Sequence, residues 1–151
     1  MTTDVTELVV VERPTAVIAR TTTWDEYPAL WGQLLDAVWK AVRSDSRIVP
    51  GRNVMLYKDD RPSVEVGVEV ADPFAPIGEV VCSALPGGRV LTTTHRGPTD
   101  ELLDGLAHAH DTVARECDRR GLRRLGPLWE IYGHWTETSV DQEVEIYHLV
   151  G

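Results

Sequence analysis

The chain has 151 residues, 42% of them hydrophobic, which is enough to build one ordinary domain core rather than several. A formal charge of -9 and a sequence pI near 4.9 leave no basic patch of the kind that phosphate binding needs, so direct nucleic-acid binding is not expected. Cys82 and Cys117 are lone thiols without zinc-ligand or disulfide spacing, and the start MTTDVTELVVVERP is wrongly flanked for a signal peptide or a membrane span; the expectation is a cytoplasmic protein with no metal, no cofactor and no membrane contact.

In chain order, a first strand is expected near Val5 to Val11 and a second in the β-branched run TAVIARTTT, with Pro14 breaking between them. Thr23 and Glu26 have capping-box spacing, so a helix should follow. Tyr27, Leu30, Trp31, Leu34, Leu35, Val38 and Val42 give it one apolar face, and Pro28 is admitted in its first turn. NVMLYKD and SVEVGVEV read as two strands joined by a turn at Asp60, Arg61 and Pro62. GEVVCSAL is a strand, PGG a turn and RVLTTTHRG a strand. PTDELLDGLAHAHDTVARECDRRG is a helix with Leu103, Leu106, His110, Val113 and Cys117 as its stripe, punctuated by Pro98 and Gly121. The basic run RRGLRR straddles its end, where cations offset the helix dipole. GPLWEIYGHW and DQEVEIYHLV close the chain as strands around the turn TETSV.

The second half repeats the first. AVIARTTTWDEYPAL resembles RVLTTTHRGPTDELL, NVMLYKD falls on LWEIYGH, and SVEVGVEV on QEVEIYHLV. This predicts a single α+β domain over 1–151, made of two pseudo-symmetric strand-helix-strand-strand half-domains at roughly 5–71 and 79–150, with an antiparallel sheet and two helices flanking a central cleft. A ligand would sit in that cleft. Met55 and Tyr57 are the counterparts of Glu130 and Tyr132, so both halves offer the same face but only one offers an acid.

No phosphate loop, HExxH, GxSxG or activated Ser or Cys is present, and what stands out is five Trp against one Phe. Trp31 reads as core and Trp129 as packing, while Trp135 could do either. Trp24 and Trp39 are candidates for ligand contact, together with Tyr27, Met55, Tyr57 and Tyr132. Strand alternation puts Glu130 on one face with Leu128, Tyr132 and His134. It is either a solvated edge acid or an anion in an aromatic cleft, and a buried carboxylate needs a partner or a cationic ligand. His148 points inward and is counted with the cleft candidates, chiefly as a neutral, satisfied histidine. His110 reads as structural. His95, His108 and His134 carry no spacing signal.

THRGPTDELL, GPLWEIYG with its Gly-Pro then Glu-x-Tyr pattern, and the closing strand VEIYHLV resemble the GyrI-like small-molecule-binding domain, which also forms the effector-binding half of multidrug-responsive transcription regulators. The resemblance covers nearly the whole chain. It implies a duplicated, SHS2-like fold whose cleft takes bulky, aromatic, often cationic compounds, with the family's acid at Glu130 and its neighbouring tyrosine at Tyr132. The chain departs from the pattern at Thr99, where the family commonly carries an aromatic. It has no room for the regulators' DNA-binding domain and resembles a stand-alone member. Three functions follow as expectations. The first is multidrug binding by Trp and Tyr stacking with Glu130 as counter-charge. The second is a hydrolase opening strained cyclopropane-type electrophiles, with Glu130 as general base and Tyr132 as oxyanion donor. The third is a protein-interaction role like that of the family's gyrase-inhibiting member.

Overall fold

The computed structural model describes residues 4–133 and 141–151. In chain order the elements are β1 (Thr6–Val10), β2 (Arg13–Thr21), α1 (Tyr27–Arg43), β3 (Pro50–Tyr57), β4 (Ser63–Val70), β5 (Val81–Leu85), β6 (Gly88–Pro98), α2 (Leu102–Arg119), β7 (Arg124–Tyr132) and β8 (Asp141–Val150). A short 3-10 turn, Thr99–Glu101, leads into α2. Thr23 Oγ1 accepts the Glu26 N–H at 3.2 Å, so Thr23 caps the turn before α1, and Pro28 falls in the first helical turn as the sequence implies. α2 closes at Gly121 with the Leu122 N–H returned to the Cys117 carbonyl.

Among the described residues the strands form one antiparallel sheet in the order β1-β6-β8-β7-β3-β4-β2-β5. The central six strands read as a palindrome: β6-β8-β7 mirrors β2-β4-β3, each set being strand, helix, strand, strand in the chain. The two halves join where β3 pairs with β7, and the register there sets Met55 opposite Glu130, its own counterpart. The pseudo-twofold axis therefore passes between these two residues. Outward from the seam, Val66 pairs Met55 as Ile146 pairs Glu130, and Val66 pairs Ile18 as Ile146 pairs Thr93. That register makes Ala16 the counterpart of Leu91, two positions away from the Arg89 that the alignment of AVIARTTT with RVLTTTHR gives it. A strand repeats its facing every two residues, so the slip left every inside and outside assignment intact. The helices carry the register spacing too: the buried Leu34, Val38 and Val42 answer to Ala109, Val113 and Cys117.

Both helices lie on one face. α1 covers Ala16, Ile18, Val64, Val66 and Val68, and α2 covers Leu91, Val144, Ile146 and Val150. The other face curls around a third core in which Trp129 stacks on Tyr147 at 5.5 Å between ring centroids. β1 and β2 are adjacent in the chain yet lie far apart in the strand order; Val10 pairs Gly88 and Arg13 pairs Leu85, so the curled sheet brings its two edges together at the β5–β6 turn.

Two local expectations are corrected. Pro14 does not break the chain but lies inside β2, opposite Ala84 of the edge strand β5, near the strand's end where a missing N–H is tolerated. Leu103 is not part of the buried stripe of α2 and is 74% exposed, because α2 turns Leu102, Leu106 and Ala109 inward instead. In β7 the register shifts between Arg124 and Leu128 around Gly126, whose φ of 108° favours glycine; this resets the strand so that Leu128, Glu130 and Tyr132 face the helices.

Candidate functional site

On the helix-bearing face of the sheet, at the β3–β7 seam, a cleft of about 420 Å³ opens between residues of α1 and α2. Its first-half wall is aromatic: Trp24, Tyr27, Trp31 and Tyr57. Trp24 lies over Tyr57 at 5.7 Å, Tyr27 meets Tyr57 edge-on at 5.6 Å, and the Trp24 indole N–H donates to the Asp60 carbonyl at 3.1 Å. The second-half wall is aliphatic, with Leu102, Leu103, Leu106 and Ala107. By register Leu102 answers to Tyr27 and Leu106 to Trp31, so one pseudo-symmetric frame presents an aromatic surface on one side and leucines on the other. A second lobe of about 300 Å³ shares Trp31, Met55, Leu102 and Tyr132 and extends to Asn53 and Gln142.

Glu130 lies at the floor, 3% exposed. Its Oε1 accepts the hydroxyls of Tyr132 at 2.8 Å and Tyr57 at 3.0 Å, and its Oε2 meets His110 Nε2 at 2.7 Å. Among the described residues it pairs with no lysine or arginine, and its ion-pair partner is His110. Burial, and then the Glu130 charge, push the Tyr57 and Tyr132 hydroxyls well above the ordinary phenol range, so both remain protonated donors. Tyr27 donates to Met55 Sδ at 3.0 Å and lies 3.3 Å from the Tyr57 hydroxyl, which extends the polar cluster across the pseudo-axis.

Behind Glu130, His110 Nδ1 and His148 Nε2 are 2.9 Å apart and the two rings stack with centroids at 5.1 Å. Desolvation, with smaller contributions from His110 and Arg124, holds His148 down to about 3 from 6.5. Below about pH 6.5 the unfolded chain therefore takes up a proton that folded His148 does not. Its contribution to stability is present above that pH and is lost as pH falls toward 3. Urea unfolding of wild type and His148→Val should show this: the stability difference between them should shift in favour of the variant on going from pH 7 to pH 5. A constant difference would mean that His148 is not held neutral.

Of the residues singled out in the sequence, the structure brings Glu130, Tyr132, Trp24, Tyr27, Met55 and Tyr57 to one cleft. Trp39 is not there: its indole donates to Asn53 at 2.8 Å and Arg43 covers its ring at the flank of the α1 core. His148 does not line the cleft and reaches it through His110. Trp31, read as core, is 37% exposed and lines both lobes. His110, read as structural, touches the acid. Its stripe position on the same face as Leu106 was the available signal, but a helical stripe does not name the strand residue it meets. Trp129 packs on the opposite face. His134 and Trp135 lie outside the described residues.

Residues 3–149 match the family model of the GyrI-like small molecule binding domain. No curated protein matches the chain in sequence. Among solved structures, the EcmrR C-terminal domain is similar at a TM-score of 0.80 and 17% identity, covering 100% of this chain and 99% of that one. The protein SAV2435, solved bound to tetraphenylphosphonium, is similar at a TM-score of 0.68 and 13% identity over 100% and 94% of the two chains. A hydrolase from Listeria innocua follows at 0.60 and 12%, over 97% and 91%. At these identities the likeness is one of fold.

Proposed function

The chain belongs to the GyrI-like small-molecule-binding family, and from that premise we propose that it binds bulky, aromatic, lipophilic and often cationic compounds in the cleft between its halves. The observation that carries this reading is Glu130: a carboxylate kept 3% exposed, without a lysine or arginine among the described residues, under an aromatic wall. A buried carboxylate whose ion-pair partner among the described residues is a histidine rather than a lysine or arginine is costly to keep charged, and a cation arriving with its own apolar surface offsets that cost while it gains from the ring faces around it. The width of the cleft and its aliphatic second wall fit a ligand with substantial apolar bulk rather than a small ammonium.

The test is quenching of intrinsic tryptophan fluorescence by tetraphenylphosphonium. Saturable quenching is expected, with Trp24→Ala weakening the affinity by about 1 kcal/mol, the scale of one lost cation–π contact. Trp39→Ala removes an indole outside the cleft and should leave the affinity unchanged. Absence of saturable quenching in the wild type would defeat the reading.

A hydrolytic role is the second reading. One observation favours it: Glu130 could pass an abstracted proton to His110, as a general base must do to turn over. Tyr132, however, donates to Glu130 itself at 2.8 Å rather than into the cleft, so it is not aimed at a substrate oxygen, and binding remains the first reading. The protein-interaction role draws on the net charge alone.

A further inference from the structure

Three polar groups sit in a row: the carboxylate of Glu130, the ring of His110 and the ring of His148, linked by contacts of 2.7 and 2.9 Å. They are strung out rather than convergent, and no group of three such residues among the described residues is arranged to hold a metal ion. The sheet register gives each an apolar counterpart in the first half: Met55 for Glu130, Leu35 for His110 and Val68 for His148. Tyr132, by contrast, keeps its counterpart Tyr57. One half thus builds the same strands and helix with all three polar groups replaced, so half-domain packing does not require them, and they differ from the other half as a set.

His148 also lines a second pocket of about 410 Å³ on the far side of Leu128, with Arg124 and Asp60 as its charged neighbours. The row therefore runs from the floor of the apolar cleft to a separate polar opening.

We propose that Glu130, His110 and His148 form a proton relay that couples cation uptake in the cleft to release of one proton through this second pocket. The proposal rests on the binding reading above. Before uptake, His110 is an imidazolium that donates Nε2–H to Glu130 and Nδ1–H to His148 Nε2, and the carboxylate charge is neutralised from within. A cation entering the cleft replaces that internal neutralisation. The Nδ1 proton of His110 then passes to His148 Nε2, and His148 gives up its Nδ1 proton to the second pocket. Afterwards neutral His110 still donates Nε2–H to Glu130, and His148 Nε2–H donates to His110 Nδ1. One proton has left, and every hydrogen bond in the row is kept with its direction reversed between the rings.

The groups that face His110 fit this cycle. β7 presents Glu130 and Tyr132, β8 presents His148, and β3 presents Tyr57 through the shared carboxylate oxygen. α1 contributes Tyr27 to the same cleft, where it stays protonated by burial, and β6 puts His95 against α2 at Gly105, five residues before His110. Arg124, at the start of β7, lies on the His148 side, where its charge resists a resting proton on that ring. His148 is therefore a point of transit and not a store.

The experiment is titration calorimetry of the full chain with tetraphenylphosphonium, and with neutral triphenylphosphine oxide as control, from pH 5.5 to 8.5 in buffers of different ionisation enthalpy. At the acid end, uptake of the cation should release close to one proton and its affinity should rise roughly tenfold per pH unit before levelling off, while the neutral compound should show neither effect. His148→Val removes the ring through which the proton leaves, so fewer protons should be released per bound cation than in the wild type. A cation affinity that is flat across this range, with no buffer-dependent heat, overturns the relay and leaves the binding reading standing. Failure of both compounds to bind at any pH overturns the binding reading first. The proton count is measured on wild type, so a poorly folded variant does not protect the proposal.

Discussion

Glutamine in place of Glu130 should weaken tetraphenylphosphonium binding by about 1–3 kcal/mol, roughly 5- to 150-fold, while a neutral aromatic of similar shape loses little. The substitution is a clean one because the surroundings can accept it. The amide oxygen can take the Tyr57 and Tyr132 hydroxyls, now at 3.0 and 2.8 Å from Oε1, and the amide N–H can donate to His110 Nε2. That requires His110 to carry its proton on Nδ1, where His148 Nε2 lies 2.9 Å away to accept it. Both tyrosine hydroxyls and His110 keep a partner and only the amide's second N–H is left without a named one, so a loss of affinity specific to the cation reports the missing charge rather than a damaged floor. If the acid is instead a general base, the same substitution should leave binding nearly intact and abolish turnover of a strained electrophile. Fluorescence titration with both ligand types, alongside a hydrolysis assay, separates these outcomes. Equal binding of both ligands by both proteins, with no turnover, would reduce Glu130 to a structural acid. Methionine, the residue that the other half uses, is the harsher replacement: it leaves both tyrosine hydroxyls and His110 facing an apolar side chain.

Much of this site was legible in the sequence because a strand has a period of two. Once NVMLYKD and LWEIYGH are matched, Met55, Tyr57, Glu130 and Tyr132 must share a face, and the seam register places Met55 against Glu130. The same periodicity hid the two-residue slip in the first-strand alignment, since laying AVIARTTT over RVLTTTHR differs from the sheet register by two positions, a shift that moves no side chain to the other face. What a helical stripe cannot convey is where the helix ends relative to the sheet. Tyr27 and Leu34 are both on the α1 stripe and both buried, yet Trp31 between them is 37% exposed and lines the cleft. His110 was illegible for a related reason: its partner belongs to a strand 20 residues away in the chain, and the contact depends on how α2 seats on β7 and β8. Trp39 misled because an indole off the tight stripe can be satisfied by a neighbouring strand, here by Asn53.

The frame that holds the cleft should be most sensitive at Gly67, a position that no motif marks. Gly67 pairs with Val17 of β2 and Val54 of β3, and a Cβ built there would lie 1.8 Å from the Ala16 carbonyl oxygen and 2.9 Å from the Val17 Cα. Those are backbone atoms of the neighbouring strand, so no rotamer change relieves the clash; β2 and β4 must move apart. Tyr147 occupies the equivalent position in the second half, where it stacks on Trp129, so the curled face is filled by a ring on one side and by close backbone approach on the other. Gly67→Ala should cost about 3 kcal/mol, the upper part of the range for overpacking, and lower the melting temperature by roughly 6–12 °C. Gly32 is the internal control. It lies within α1 with nothing within 4 Å of a built Cβ, so Gly32→Ala should stabilise the fold by about 0.5–1 kcal/mol through helix propensity alone. Thermal unfolding of the two variants should move in opposite directions. A Gly67→Ala protein as stable as wild type would mean that β2 and β4 do not approach as closely as this sheet requires.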